Sequence, residues 1–176
     1  DHPARSRHHR RPHLGHELVP LPEQDRAGWD RRLIAEGHAL VRECLDRARR
    51  TGRGPGRFQL LAAVNAVHTD APSWADTDWR QIAALYDQLL AVDPGPVVAL
   101  NRAVAVAELD GPAVGLAAVD RLGLSGYHAW HATRADLLRR LGRSSEARTA
   151  YDAAIAATDN PAERAFLSRR RGQLSR

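Results

Sequence analysis

Two stretches of the chain, 65 residues apart, read alike. The segment from Tyr86 to Pro96 aligns without gaps on the segment from Tyr151 to Pro161. Tyr, Asp, Ala and the closing Pro coincide, as do the apolar positions Leu90 and Ile155. Each segment is amphipathic, and each ends at a proline, which cannot continue a helix without losing a backbone donor. The spacing is about two periods of a 34-residue helix–turn–helix repeat. A hairpin of that size cannot bury its apolar face alone, so copies stack, and the stack offers an extended surface to other chains. The self-match therefore predicts an all-α protein of stacked helical hairpins, a right-handed solenoid of about eight helices. It also points to an interaction module rather than an enzyme.

Composition agrees with that reading. At 176 residues the chain is long enough for one domain with a sizeable core. Hydrophobic residues make up 43% but aromatics only 5%, so alanine must fill much of the interior. Alanine is the best helix former and lets helices approach closely. All 26 basic side chains are arginine and there is no methionine, even at position 1. A fragment or processed chain is expected, with the codon bias of a GC-rich bacterial genome. The single cysteine, Cys44, cannot form an internal disulfide. On a predicted helix it is expected to be a small buried hydrophobe rather than a reactive thiol, which suits a reducing cytoplasm. The apolar runs are too short to span a membrane, and no signal peptide is visible.

The net charge of +5 is concentrated at the ends. Residues 1–17 carry four Arg against two acids, and residues 161–176 carry five Arg against one, so residues 18–160 sum to −1. A nucleic-acid-binding domain needs a basic face on its folded body. Direct DNA binding by this chain is therefore not expected. Residues 1–17 are rich in His, Arg and Pro and are expected to form an irregular basic linker ahead of a helical repeat domain over residues 18–176. The histidines His2, His8, His9, His13 and His16, with His38 further on, lack a ligand spacing and a completing Cys or acidic cluster, so no metal or other cofactor is expected.

Helix boundaries follow from the breakers. A first helix is predicted from about Gly28 to Arg50, with Trp29, Leu33, Ile34, Gly37, Leu40, Val41, Cys44, Leu45 and Ala48 on one apolar stripe. The glycine-rich loop 51–56 lacks a preceding strand and a Gly-Lys-Ser/Thr ending, so it is a linker rather than a phosphate loop. A second helix spans about 57–69. A third, capped within Asp76-Thr77-Asp78, carries Trp79, Ile82, Leu85, Tyr86 and Leu89 inward and ends before Pro94. A fourth covers about 96–109, closed by Gly111 in the left-handed region, and Pro112 opens a fifth. A sixth spans about 126–141, stopped by Gly142, and a seventh about 144–158. Asn160-Pro161-Ala162-Glu163 caps the eighth, with Glu163 placed to reach back.

The hairpin over 126–158 carries the tetratricopeptide signature best: Gly142, Ala147, Tyr151 and Ala154 fall at its turn and small–aromatic–small positions. The middle pair has Leu116-Ala117 near the small position and no aromatic after it. Further motifs occur in order: Glu23-Gln24-Asp25-Arg26, Leu33-Ile34-Ala35-Glu36-Gly37, Thr77-Asp78-Trp79, Leu100-Asn101-Arg102-Ala103, Asp110-Gly111-Pro112, Arg134-Ala135-Asp136-Leu137 and Asn160-Pro161-Ala162-Glu163. Together they resemble the tetratricopeptide-like C-terminal extension of extracytoplasmic-function RNA polymerase sigma factors. The resemblance implies a regulatory, protein-contacting role in transcription initiation, with RNA polymerase or the sigma domains of the same system as partner. No helix-turn-helix with a basic recognition helix is evident.

In such stacks the first helix of each pair lines the concave side. Polar residues among the alanines of those helices are the candidate binding residues: Gln59, Asn65 and His68; Asn101 and Arg102, with Glu108; Arg134 and Asp136, with Arg139. Asn and Arg offer several directed hydrogen bonds for a partner's backbone or carboxylates. The competing account is that Asn101 and Arg102 only brace neighbouring helices. Trp74 is either an exposed anchor or tucked under the long turn between the second and third helices. An enzyme would have to use His68 with Asp70, or His128 and His131 with Asp136, and no nucleophile or third ligand accompanies either group. A free-standing adaptor that binds peptides is the remaining alternative.

Overall fold

The computed structural model describes residues 20–174. The predicted linker at 1–17, with its five histidines, lies outside the described residues. Two short 3-10 turns, Leu21–Glu23 and Arg26–Gly28, lead into eight α-helices: α1 (Arg31–Arg50), α2 (Arg57–Asp70), α3 (Trp79–Val92), α4 (Pro96–Asp110), α5 (Pro112–Leu122), α6 (His128–Arg140), α7 (Ser144–Ala157) and α8 (Pro161–Gly172). Each helix packs on its neighbours in sequence. The described residues contain no strand, and the helices stack as hairpins α2–α3, α4–α5 and α6–α7, flanked by α1 and α8.

The breakers act as expected, with local differences. Asp30 accepts from the amides of Arg32 and Leu33 at 2.9 and 3.1 Å, so α1 starts at Arg31 rather than near Gly28. The cap of α3 is Asp78, which accepts from the Gln81 amide at 2.9 Å, and Thr77 is buried for a different purpose. Gly111 is the only residue between α4 and α5. Its φ of 96° and ψ of 161° lie in a region open to glycine alone, more extended than the left-handed turn. Asn160 caps α8 through the amides of Ala162 and Glu163. Glu163 does not reach back to Asn160. It accepts from the Thr158 hydroxyl at 2.7 Å, and Thr158 Oγ1 in turn accepts from the Asn160 amide.

Buried residues form two clusters that meet on α4. One holds Leu60, Val64, Ile82, Tyr86 and Leu89 with Val98 and Ala105 of α4. The other holds Leu100, Ala103 and Ala107 of α4 with residues of α5 to α8, centred on Tyr151. A helix with neighbours on two sides must be apolar around much of its circumference, and the Val-Val-Ala-Leu…Ala-Val-Ala-Val-Ala run of α4 satisfies this. Tyr86 and Tyr151, the two tyrosines of the self-match, are both buried. Between α4 and α5 the close contact is at Gly115. A Cβ there would lie 2.2 Å from the Ala107 Cβ. The small position of this hairpin is thus Gly115 rather than Leu116-Ala117, and buried Val119 takes the aromatic's place.

The terminal helix α1 departs from expectation. Its predicted stripe splits: Ile34, Val41 and Leu45 are half-buried and Ala48 buried, whereas Leu33, Leu40 and Cys44 are exposed. The expectation of a buried Cys44 is corrected accordingly. An end helix packs on one neighbour only, so half of a wide apolar stripe stays in solvent. Among the described residues no helix is long and apolar enough to cross a membrane.

Candidate binding groove

The inner face of the stack is built from α4, α6 and α8, and it encloses a cavity of about 540 Å³. Successive turns of α4 contribute Val104, Ala107 and Glu108, and those of α6 contribute Ala132, Thr133, Asp136, Leu137, Arg139 and Arg140. These positions recur three and four apart, so each helix presents one face. Tyr151 of α7 and Leu167 of α8 close the floor, and Phe166 and Trp74 stand at the sides.

The charged groups of the groove are paired. Arg140 donates to Glu108 at 2.6 Å across from α6 to α4, and the Trp74 indole N–H donates to the same carboxylate at 3.3 Å. Arg139 donates to Asp136 from Nη2 at 2.7 Å and from Nε at 3.1 Å. Burial works against the Arg139 charge, but its hydrogen bond to Asp136 and the attraction of that carboxylate outweigh the burial and hold its pKa above the usual value. Burial, reinforced by the nearby Asp136 charge, raises the Tyr151 phenol above its usual value.

Only Asp136 of the seven candidate residues lines this cavity. Gln59 accepts from the Gly56 amide and caps α2. Asn65 and Asn101 are exposed. Arg102 of α4 pairs with Asp87 of α3 at 2.5 Å, and Arg134 of α6 pairs with Asp120 of α5 at 2.8 Å. His68 lies behind Trp74, stacked on it at 5.7 Å and edge-on to Trp79 at 5.3 Å. Burial, with a lesser contribution from the Arg26 charge, lowers its pKa below the usual 6.5. Trp74 is therefore tucked beneath the long turn, with one edge on the cavity. His128 and His131 do not converge: one faces Glu163 at 3.4 Å and the other the Ser125 carbonyl at 2.7 Å.

A strap over residues 20–29 borders the groove, and its role is not legible in the local sequence. Pro20, Pro22 and Glu23 form part of the cavity wall, and Glu23 pairs with Arg170 of α8. The strap is anchored at its far end by Arg26, only 4% exposed. Arg26 donates to the carbonyls of His68 and Ala71 at 2.7 and 2.9 Å and to the Thr77 hydroxyl at 3.4 Å. Those two carbonyls lie at the C-terminal end of α2, where a cation is favourable. The partners stand 42 to 51 residues from Arg26.

A family of unknown function (DUF6596) matches residues 3–45, a span that includes the strap and most of α1. An uncharacterized protein of Rhizobium meliloti (strain 1021) is 46% identical over 152 residues, which is 85% of this chain and 35% of that protein. The chain thus spans about a third of the length of this curated relative. No solved structure matches the chain.

Proposed function

We propose that this chain is the regulatory, protein-contacting domain of an extracytoplasmic-function sigma factor, acting in the cytoplasm on transcription initiation and carrying no catalysis of its own. The observation that carries the contact reading is the inner groove, where directed polar groups on α4 and α6 surround a cavity of about 540 Å³. Grooves of that size with an apolar lining and a few placed polar groups are binding sites by preference. The biological setting rests on the ordered motifs between Glu23 and Glu163 and their resemblance to that family's extension. The relative, roughly three times as long as the stretch it shares, leaves room for promoter-binding and polymerase-binding domains.

A protein partner is favoured over DNA. Several arginines of the body are committed to carboxylates, among them Arg57 with Asp93, Arg102 with Asp87, Arg134 with Asp120 and Arg140 with Glu108. Such pairs leave little unbalanced positive charge for phosphates. RNA polymerase or the sigma domains of the same system are the partners this reading names.

The test is transcription from a target promoter by a protein with sigma domains joined to residues 18–176. Thr133→Phe fills the groove and leaves the Glu108–Arg140 and Asp136–Arg139 pairs intact, whereas Asn101→Ala removes an exposed side chain outside it. Activity lost in Thr133→Phe at unchanged melting temperature, and retained in Asn101→Ala, supports the contact surface. Full activity from a protein lacking residues 18–176 refutes it.

A further inference from the structure

The charges lining the groove fall into three pairs, and one pair differs from the others. Asp136 with Arg139 and Glu108 with Arg140 join side chains of the groove itself. The third joins Arg170 of α8 to Glu23, which belongs to the strap. Lifting the strap leaves the first two pairs intact and removes the one carboxylate that pairs with Arg170 among the described residues. The Arg170 guanidinium lies over the Phe166 ring at 5.5 Å, which holds it at the groove wall as a ready carboxylate receptor.

The strap's two ends are held unequally. Arg26 is buried with three acceptors. The Glu23–Arg170 pair is partly exposed, at 46% and 26% of its side chains, and pairs of that kind contribute little. The segment Pro20-Leu21-Pro22-Glu23 can therefore leave the groove while Arg26 stays in place. What it presents there is specific: one 3-10 turn, closed by the Glu23 amide donating to the Pro20 carbonyl at 2.8 Å, in which two prolines limit backbone freedom around an apolar residue and a carboxylate follows.

We infer that the groove is a receptor for a short proline-containing turn of a partner protein that ends in an acidic residue, and that residues 20–23 occupy its rim in cis as a competitor. This rests on the reading of the groove as the contact surface. The tether gives the strap an effective concentration in the millimolar range, so a partner engages only when it outcompetes the strap or when the strap is withdrawn. The chain is thereby both receptor and its own inhibitor.

The experiment is fluorescence anisotropy with a labelled synthetic peptide of residues 18–24 and the full chain. Glu23→Arg turns the latch repulsive, and it should tighten peptide binding at least about threefold over the unaltered chain. The same peptide with glutamine in place of its glutamate should lose a similar factor. Thr133→Phe should abolish binding while leaving the latch untouched, and Arg170→Gln should weaken it, with circular dichroism confirming the fold of each. Failure of the peptide to bind the Glu23→Arg chain at millimolar concentration overturns the inference, as does undiminished binding to Thr133→Phe. If the peptide fails while Thr133→Phe still abolishes transcription, the peptide chemistry falls and the contact surface stands.

Discussion

Replacing Gly115 by alanine sets two known effects against each other. Within a helix the change favours folding by about 1 kcal/mol, because glycine loses more backbone freedom. Here the new methyl would sit 2.2 Å from the Ala107 Cβ and 2.8 Å from its Cα. Carbon atoms at rest need about 3.5–4 Å, so α4 and α5 would have to part by more than an ångström. The obstacle is another helix's backbone and its first side-chain atom, with no flexible end to swing away. Overpacking of this kind costs about 1–3 kcal/mol, occasionally more, and the upper end applies where backbone is the obstacle.

The net expectation is a loss of about 2 kcal/mol. For a chain of this size that lowers the melting midpoint by roughly 4–8 °C. Gly37→Ala in α1 is the control, because nothing lies within 4 Å of a Cβ there. That substitution should leave stability unchanged or raise it by up to about 1 kcal/mol. The assay is chemical and thermal denaturation followed by far-ultraviolet circular dichroism. A Gly115→Ala protein as stable as the parent would refute the close α4–α5 packing.

Three further outcomes are expected. Tyr151→Ala should cost about 3–5 kcal/mol in denaturant titrations, because the ring is 2% exposed at the centre of the larger cluster; Tyr151→Phe should cost only about 1 kcal/mol. Arg26→Ala should cost about 2 kcal/mol by leaving two backbone carbonyls without their donor, and hydrogen exchange should show the amides of Gly28 and Trp29 losing protection. The lowered His68 pKa means that the unfolded chain binds the proton more readily than the folded one. Its contribution is therefore complete above about pH 6.5 and is lost as pH falls from there through the folded value. Denaturation midpoints measured between neutral and mildly acidic pH should fall less steeply in His68→Gln than in the parent.

What the sequence disclosed depended on how local the signal was. Pro96, Pro112 and Pro161 mark helix starts by backbone chemistry alone, and the structure places all three at first helical positions. Tyr86 and Tyr151 were found through the repeat, which carries tertiary information in one dimension. Gly115 was missed because a glycine replaces the usual alanine and Val119 the usual aromatic, so the hairpin lacked its landmarks. Cys44 was misplaced because periodicity shows that a helix has an apolar stripe but not how many neighbours cover it. Among the candidate site residues, polar side chains on alanine-rich helices were recognised, but not what they face. Arg102 and Arg134 have partners 15 and 14 residues earlier, on the preceding helix, and no local rule separates such a partner from an external ligand.

Those two arginines belong to a series. Asp87, Asp120 and Asp152 lie on α3, α5 and α7, and Arg102, Arg134 and Arg171 answer them from α4, α6 and α8. The aspartates are 33 and 32 residues apart, close to the period of the repeat, and two of them follow the tyrosines of the self-match. Each rung joins the second helix of a hairpin to the helix that follows it. Being largely exposed, each contributes at most about 1 kcal/mol. Their value is positional: a carboxylate and a guanidinium at fixed sites on facing helices favour one axial offset over its neighbours. That offset decides whether the faces of α4, α6 and α8 line up into a single groove or present separate surfaces. A groove assembled from two hairpins and α8 thus depends on polar contacts outside it, and the arginines read from the sequence as ligand-binding residues pair instead between the helices that form the groove.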